Sequence, residues 1–293
     1  MTIRPERWLK LALLALPLLA APAAWGQVVV EIVGDTAHAT IALTDDNGTT
    51  YDAEVTITFD TPLGLSVDSL NLTAELVDPV AVNQRLPAGL AVDPRFPMMV
   101  TVEPPGTGWL FGSGFDNGDN ISQALSFRNT YQIEVHTADL VYEPHSLYRL
   151  LKAPVGGAFD DVTEDVRSGS TRARGRGGAF SQFVIAADSR VPLAVASGKA
   201  LALSGRLVTA ILSDVLRLDL VGLVVEIEAA LLIPIIGCSH ALAPVDQFIA
   251  TIEAHAGVDI ANLWRAQHDV TNDAGELESL AQTLRFSLLT CAE

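Results

Sequence analysis

A chain of 293 residues that is half apolar, with a formal net charge of −17, can bury a sizeable core and does not read as a disordered acidic tail. So strong an acidic balance repels nucleic acid and anionic membrane surfaces, which excludes generic polyanions as partners. With only Cys238 and Cys291, far apart in sequence, it also lacks the local cysteine pair that a redox motif or a thiolate metal site requires.

Taken from the N-terminus, Arg4, Arg7 and Lys10 lead into an apolar stretch over 9–24, broken only by Lys10, Pro17 and Pro22. Charge followed by a short apolar core is the order of a secretory signal peptide. Ala24 and Gly26 stand at the small-residue places of a cleavage site, so cleavage is expected after Gly26. The core is short for a bilayer span of about 20 residues, which argues against a retained anchor. No cysteine follows it to carry a lipid. The expected leader, 1–26, holds three cations and one acid, so the mature chain of 267 residues carries −19. Only two lysines remain in it, Lys152 and Lys199.

Val28, Val30 and Ile32 alternate with their neighbours, and so do Val55, Ile57 and Phe59, the period of half-buried strands. Asp46, Asn47 and Gly48 form a hairpin turn signal, because Asn and Gly accept the positive φ such turns need. Further strands are expected over 67–77, 98–103, 123–127, 131–137, 146–151 and 181–187. Many short strands with regular turns favour an antiparallel sandwich. Near residue 190 the composition changes to Leu/Ala helical periodicity. A stretch over 193–233, as one helix or two, ends at Pro234 and Gly237. Pro244 is expected to open an amphipathic helix carrying Val245, Phe248, Ile249 and Ile252, closed by Gly257. Another helix is expected over 260–267, and a last one carries Leu277, Leu280, Leu284 and Leu288. Together these make a small bundle. The apolar run over 218–236 holds Asp219, Glu226 and Glu228, and a central acid costs about 2.5 to 3.5 kcal/mol on insertion, so a bundle helix is expected rather than a membrane span.

No motif identifies a catalytic site. The chain has no GxSxG elbow, no HExxH helix, no phosphate loop and no CxxC pair, and no cofactor is implied. Its six histidines are scattered. Asp116, Asp119 and Asn120, on the Gly-containing stretch 116–120, offer oxygen ligands of the kind calcium prefers, although the same residues also make an ordinary surface turn. Arg172, Arg174 and Arg176 would share one face if extended, and guanidinium forks suit the phosphate or sulfate groups of a surface polysaccharide. The plainer reading pairs them with nearby Asp160, Asp161, Glu164 and Asp165. Export makes a Cys238–Cys291 disulfide the natural expectation, worth about 4 kcal/mol.

The stretches LVDPVAVNQRLPAGL, FPMMVTVEPPGTG, the long run over 131–190 and the closing IANLWRAQHDV and TLRFSL resemble a family of uncharacterised exported bacterial proteins. Residues 148–187 are similar to the closing strands of sandwich domains in bacterial extracellular proteins, and 246–288 to small C-terminal helical modules. The resemblance implies export and a two-part architecture, and it supplies no site residue. The ending Cys291-Ala292-Glu293 shows no hydrophobic sorting tail.

The reading is therefore an α+β chain: a signal peptide over 1–26, an antiparallel β-sandwich over 27–189 and a helical bundle over 190–293. Its expected role is that of a non-enzymatic structural or binding protein of the periplasm or exterior, with an envelope protein or a surface polysaccharide as partner. The alternatives are a carbohydrate- or calcium-binding module, and a hydrolase that would need a Ser/His or carboxylate pair to converge in a pocket.

Overall fold

The computed structural model describes residues 25–106, 124–143, 145–167 and 170–293. The expected signal peptide, up to residue 24, and the calcium candidates Asp116, Asp119 and Asn120 lie outside them. The first strands are β1 (Trp25–Val33), β2 (Thr36–Thr44) and β3 (Thr50–Leu63). After the short helix α1 (Val67–Leu70) come β4 (Leu72–Leu76), helix α2 (Pro79–Asn83), β5 (Leu90–Val92) and β6 (Met98–Val102). The remaining strands of this part are β7 (Ser126–Val141), β8 (Tyr148–Ala153), β9 (Asp160–Asp161), β10 (Thr163–Arg167), β11 (Ser170–Gly177) and β12 (Gln182–Asp188). Helices α3 (Pro192–Thr209), α4 (Asp214–Leu231) and α5 (Gly237–His255) follow, then strand β13 (Leu263–Arg265) and helix α6 (Asp273–Ala292).

Two antiparallel sheets pack face to face. One runs β1-β2-β3-β7-β11-β10, with β13 also on β7; the other runs β4-β6-β12-β8-β9, with β5 on β12. Inward residues of the first sheet, such as Ile41, Ile57, Phe127 and Ile133, meet Val100, Leu150, Phe183 and Ile185 of the second. The second sheet is covered on its other face too, where Val82 and Phe159 pack on Leu90, Met99, Leu151 and Val184. Burial on both faces explains the continuous apolar run from Phe183 to Ala187. A separate core built on Leu203, Leu220, Ile227, Phe248, Ile252, Leu277 and Leu284 holds α3–α6 together.

Four expectations are corrected. The strand over 67–77 is a turn of helix followed by β4: Ser66 accepts from the Ser69 amide, the Ser69 hydroxyl accepts from the Ser66 amide, and Asn71 closes the turn at φ +48°. Residues 126–127 and the run over 131–137 belong to one long strand, in which Asn129 at φ +54° marks an irregularity rather than an end, while 124–125 precede it and residue 123 lies outside the described residues. Pro244 does not open a helix but sits inside α5, which begins at Gly237; the missing N–H falls opposite the carbonyl of exposed His240, where water can serve it. Residues 260–267 form β13 and its flanks instead of a helix. There Ile260, Asn262, Trp264 and Ala266 are buried at period two, and an eight-residue stretch satisfies that period as readily as a helical one. The long stretch over 193–233 resolves into α3 and α4.

β13 explains how the two parts meet. It pairs with Ser126–Arg128 on the same edge of β7 that β11 occupies further along, and its Trp264 stacks on Phe127 at 5.1 Å. α6 then crosses β7, β10 and β11.

Candidate functional site

At the junction of β8, the start of α3 and the end of α6 lies a cleft of about 340 Å³. A second cleft of about 330 Å³ shares His145, Arg149, Phe286, Thr290 and Glu293 with it. These volumes are in the range that holds a small organic ligand. The apolar wall comes from Leu147, Pro192, Val195 and Phe286. Two guanidinium groups stand in it. Arg190 is held in a fork by Asp188, at 2.8 and 2.7 Å. Arg149 is different: its Nη1 donates to the carbonyls of Ser146 and Tyr148, at 2.7 and 2.8 Å, and its guanidinium lies 5.3 Å from the Phe286 ring. Among the described residues it forms no ion pair, and its Nε and Nη2 make no hydrogen bond. Burial lowers its pKa, with Asp161 and Asp188 opposing, so a neighbouring anion would be favourable for this charge. Across the mouth, His145 Nδ1 stands 3.5 Å from a Glu293 carboxylate oxygen.

The arginine tract lies on the outer face of the first sheet, where alternation in β11 puts all three guanidinium groups. Arg174 pairs with Glu134 at 2.7 Å. Arg176 is gripped by Glu164 and Glu278, at 2.7 and 2.6 Å, while Arg172 is exposed. Of the other nearby acids, Asp165 takes Arg167 and Asp161 takes Lys199. The sulfurs of Cys238 and Cys291 are at bonding distance, with their Cα atoms 5.9 Å apart.

Two further groupings arise only through tertiary structure. Asp60, Glu253 and Glu278 line a polar cleft of about 390 Å³ with Asn129, Gln132 and Arg176. Burial holds the Glu278 carboxyl above its ordinary value although Arg176 opposes, and Glu253 adds to the rise. On the outer face of β3, β7 and β11, His136 Nδ1 meets Glu54 at 2.9 Å and its Nε2 meets the Ser170 hydroxyl. Among the described residues no cluster of three metal-ligating side chains occurs.

Sequence reasoning missed Arg149. Its ring partner Phe286 is 137 positions away, and no local pattern distinguishes an arginine that faces a cleft from one paired on a surface.

Fold and site together define a β-sandwich joined to four helices, with a ligand-sized cleft at the junction. The chain belongs to a family of unknown function (DUF6689), whose model matches residues 12–292. No curated protein and no solved structure matches it significantly.

Proposed function

We propose that this is an exported, non-catalytic binding protein that takes a small organic anion with an apolar body into the Arg149 cleft. The observation that carries the reading is a half-buried guanidinium with no ion-pair partner among the described residues, in a chain of net charge −17, facing a cleft walled by aliphatic and aromatic side chains. Acids are abundant enough to have neutralised it, as they neutralise Arg174, Arg176, Arg190 and Arg206. An oxyanion would accept from Nε and Nη2 while the apolar part of the ligand replaced water against Val195 and Phe286. The leader over 1–26 and the cysteine pair support export.

Isothermal titration with phenylacetate and octanoate tests this. Binding that Arg149→Gln weakens at least tenfold, and Arg172→Gln leaves unchanged, is expected. Failure of both probes to bind the wild-type protein, or equal binding by the Arg149 variant, refutes the reading.

A second reading rests on Glu54, His136 and Ser170, whose hydrogen bonds are those of an acid, a base and a nucleophile. It ranks below the first because the three stand on the open face of a sheet and line none of the clefts described above. A fluorophosphonate probe distinguishes the two: labelling that Ser170→Ala abolishes would establish a serine hydrolase, and an unlabelled protein eliminates it.

A further inference from the structure

The outer side of α3 and α4 is apolar where it meets solvent. On α3 the outward row at alternating four- and three-residue steps is Ala194, Gly198, Leu201, Gly205 and Val208; Leu201 is 69% and Val208 74% exposed. On α4 the row is Val215, Leu218, Gly222, Val225 and Ala229, continued by Leu232, with Leu218 71% and Leu232 84% exposed. This is the spacing of a helix-packing seam, present twice and unpartnered within the chain among the described residues.

The glycines sharpen the point. A Cβ added to Gly198, Gly205 or Gly222 would meet nothing within 4 Å. None of the three is therefore required by packing inside the chain, yet each interior glycine costs its helix about 1 kcal/mol against alanine. Gly205 leaves a notch between protruding Leu201 and Val208, and Gly222 one between Leu218 and Val225, so both seams carry the same alternation of notch and ridge. A surface of that kind is complementary to itself.

We infer that this face is the contact between two copies of the chain, with α3 of one packed on α4 of the other. Size and charge both support a second copy. Each helix has 18 residues and is about 27 Å long, so two side by side present a face of roughly 500 Å² in projection, and a two-sided contact reaches the ~1,000 Å² that a specific interface needs. The α3 face carries no free charge, because Lys199 is buried against Asp161 and Arg206 is held by Asp273 and Glu276. The α4 margins carry exposed Asp219, Glu226 and Glu228. A two-fold axis running along the helices sets those acids opposite the uncharged α3 of the partner copy and keeps them at the wet rim. The same acids repel an anionic bilayer, and no helix among the described residues is long and apolar enough to cross one.

Sedimentation velocity of the purified protein, from about 1 to about 100 µM, tests the inference. A dimer is expected. Leu218→Glu should weaken association at least tenfold with an unchanged circular-dichroism spectrum. Gly222→Leu should do the same while raising the thermal midpoint of the isolated chain, because the side chain enters open space in the monomer and a filled notch in the dimer. A wild-type protein that stays monomeric overturns the inference, as does a dimer that tolerates both substitutions. Wild-type monomer that floats with phosphatidylcholine vesicles assigns the face to lipid and overturns it equally.

Discussion

Lys199 and Asp161 meet at 2.8 Å with side chains that are almost fully buried. Lys199 Nζ also donates to Thr283, and the Thr283 hydroxyl reaches the carbonyls of Asp161 and Thr163, so one lysine on α3 joins the sheet edge to α6. Burial raises the Asp161 carboxyl, but Lys199 and the donors of Thr163 outweigh it and hold it below its ordinary value. Removing only one partner leaves a buried charge uncompensated, so Asp161→Ala should lower stability by about 3–5 kcal/mol in urea unfolding. Asp161→Leu with Lys199→Met should recover most of that loss, and no recovery would show that the pair does more than satisfy itself. A second carboxylate sets an acid limit. Arg95 forks onto Asp93, the Tyr148 hydroxyl donates to it, and its pKa falls to about 2. A folded value below the unfolded 3.8 means the contribution is complete above about pH 4 and vanishes as pH falls through about 2. The stability gap between wild type and Asp93→Asn should therefore close across that window. A gap that stayed constant from pH 5 to pH 2 would rule out the linkage.

The start of α6 is the element on which the junction depends. Asn272 caps it by accepting from the Gly275 amide, and its Nδ2 donates to the carbonyls of Asn129 on β7 and Gly178 just past β11. The approach is close enough that a Cβ on Gly275 would overlap the Asn129 carbonyl. Asn272→Asp keeps the cap and removes both donors, so it should cost about 1–3 kcal/mol, read from the denaturant midpoint. A midpoint that did not move would show that these bonds contribute nothing net. β13 is the neighbouring case. Trp264 fills the gap beside Phe127 and Phe180, and Trp264→Ala should cost about 3–5 kcal/mol. Strand periodicity made β1, β3, β6, β8 and β12 legible in the sequence. β13 was not, because three paired residues carry too little pattern to separate two periods. β11 was visible only as an arginine tract, since its inward side holds Thr171, Ala173 and Gly175 rather than large apolar residues.

Across the whole molecule, Cys238 at the start of α5 and Cys291 at the end of α6 close a loop spanning 53 positions. Replacing both by serine should lower stability by about 4 kcal/mol in the loop-entropy model. Reductant should then shift the wild-type urea midpoint and leave the double variant unmoved; equal midpoints for both would show that the crosslink does not form in solution.

Alternation of apolar residues, turn chemistry and the change to three-four spacing near residue 190 are local properties, so the sequence alone determined that a sandwich of antiparallel sheets precedes packed helices. The site was decided by tertiary structure. Arg149 gains its meaning from Phe286, His136 from Ser170 and Glu54, and Glu278 from Arg176 and Glu253, all partners distant in sequence. The reason is physical: a side chain's charge state and free valences depend on which groups burial brings beside it, and local periodicity carries only the direction in which that side chain leaves its own strand or helix.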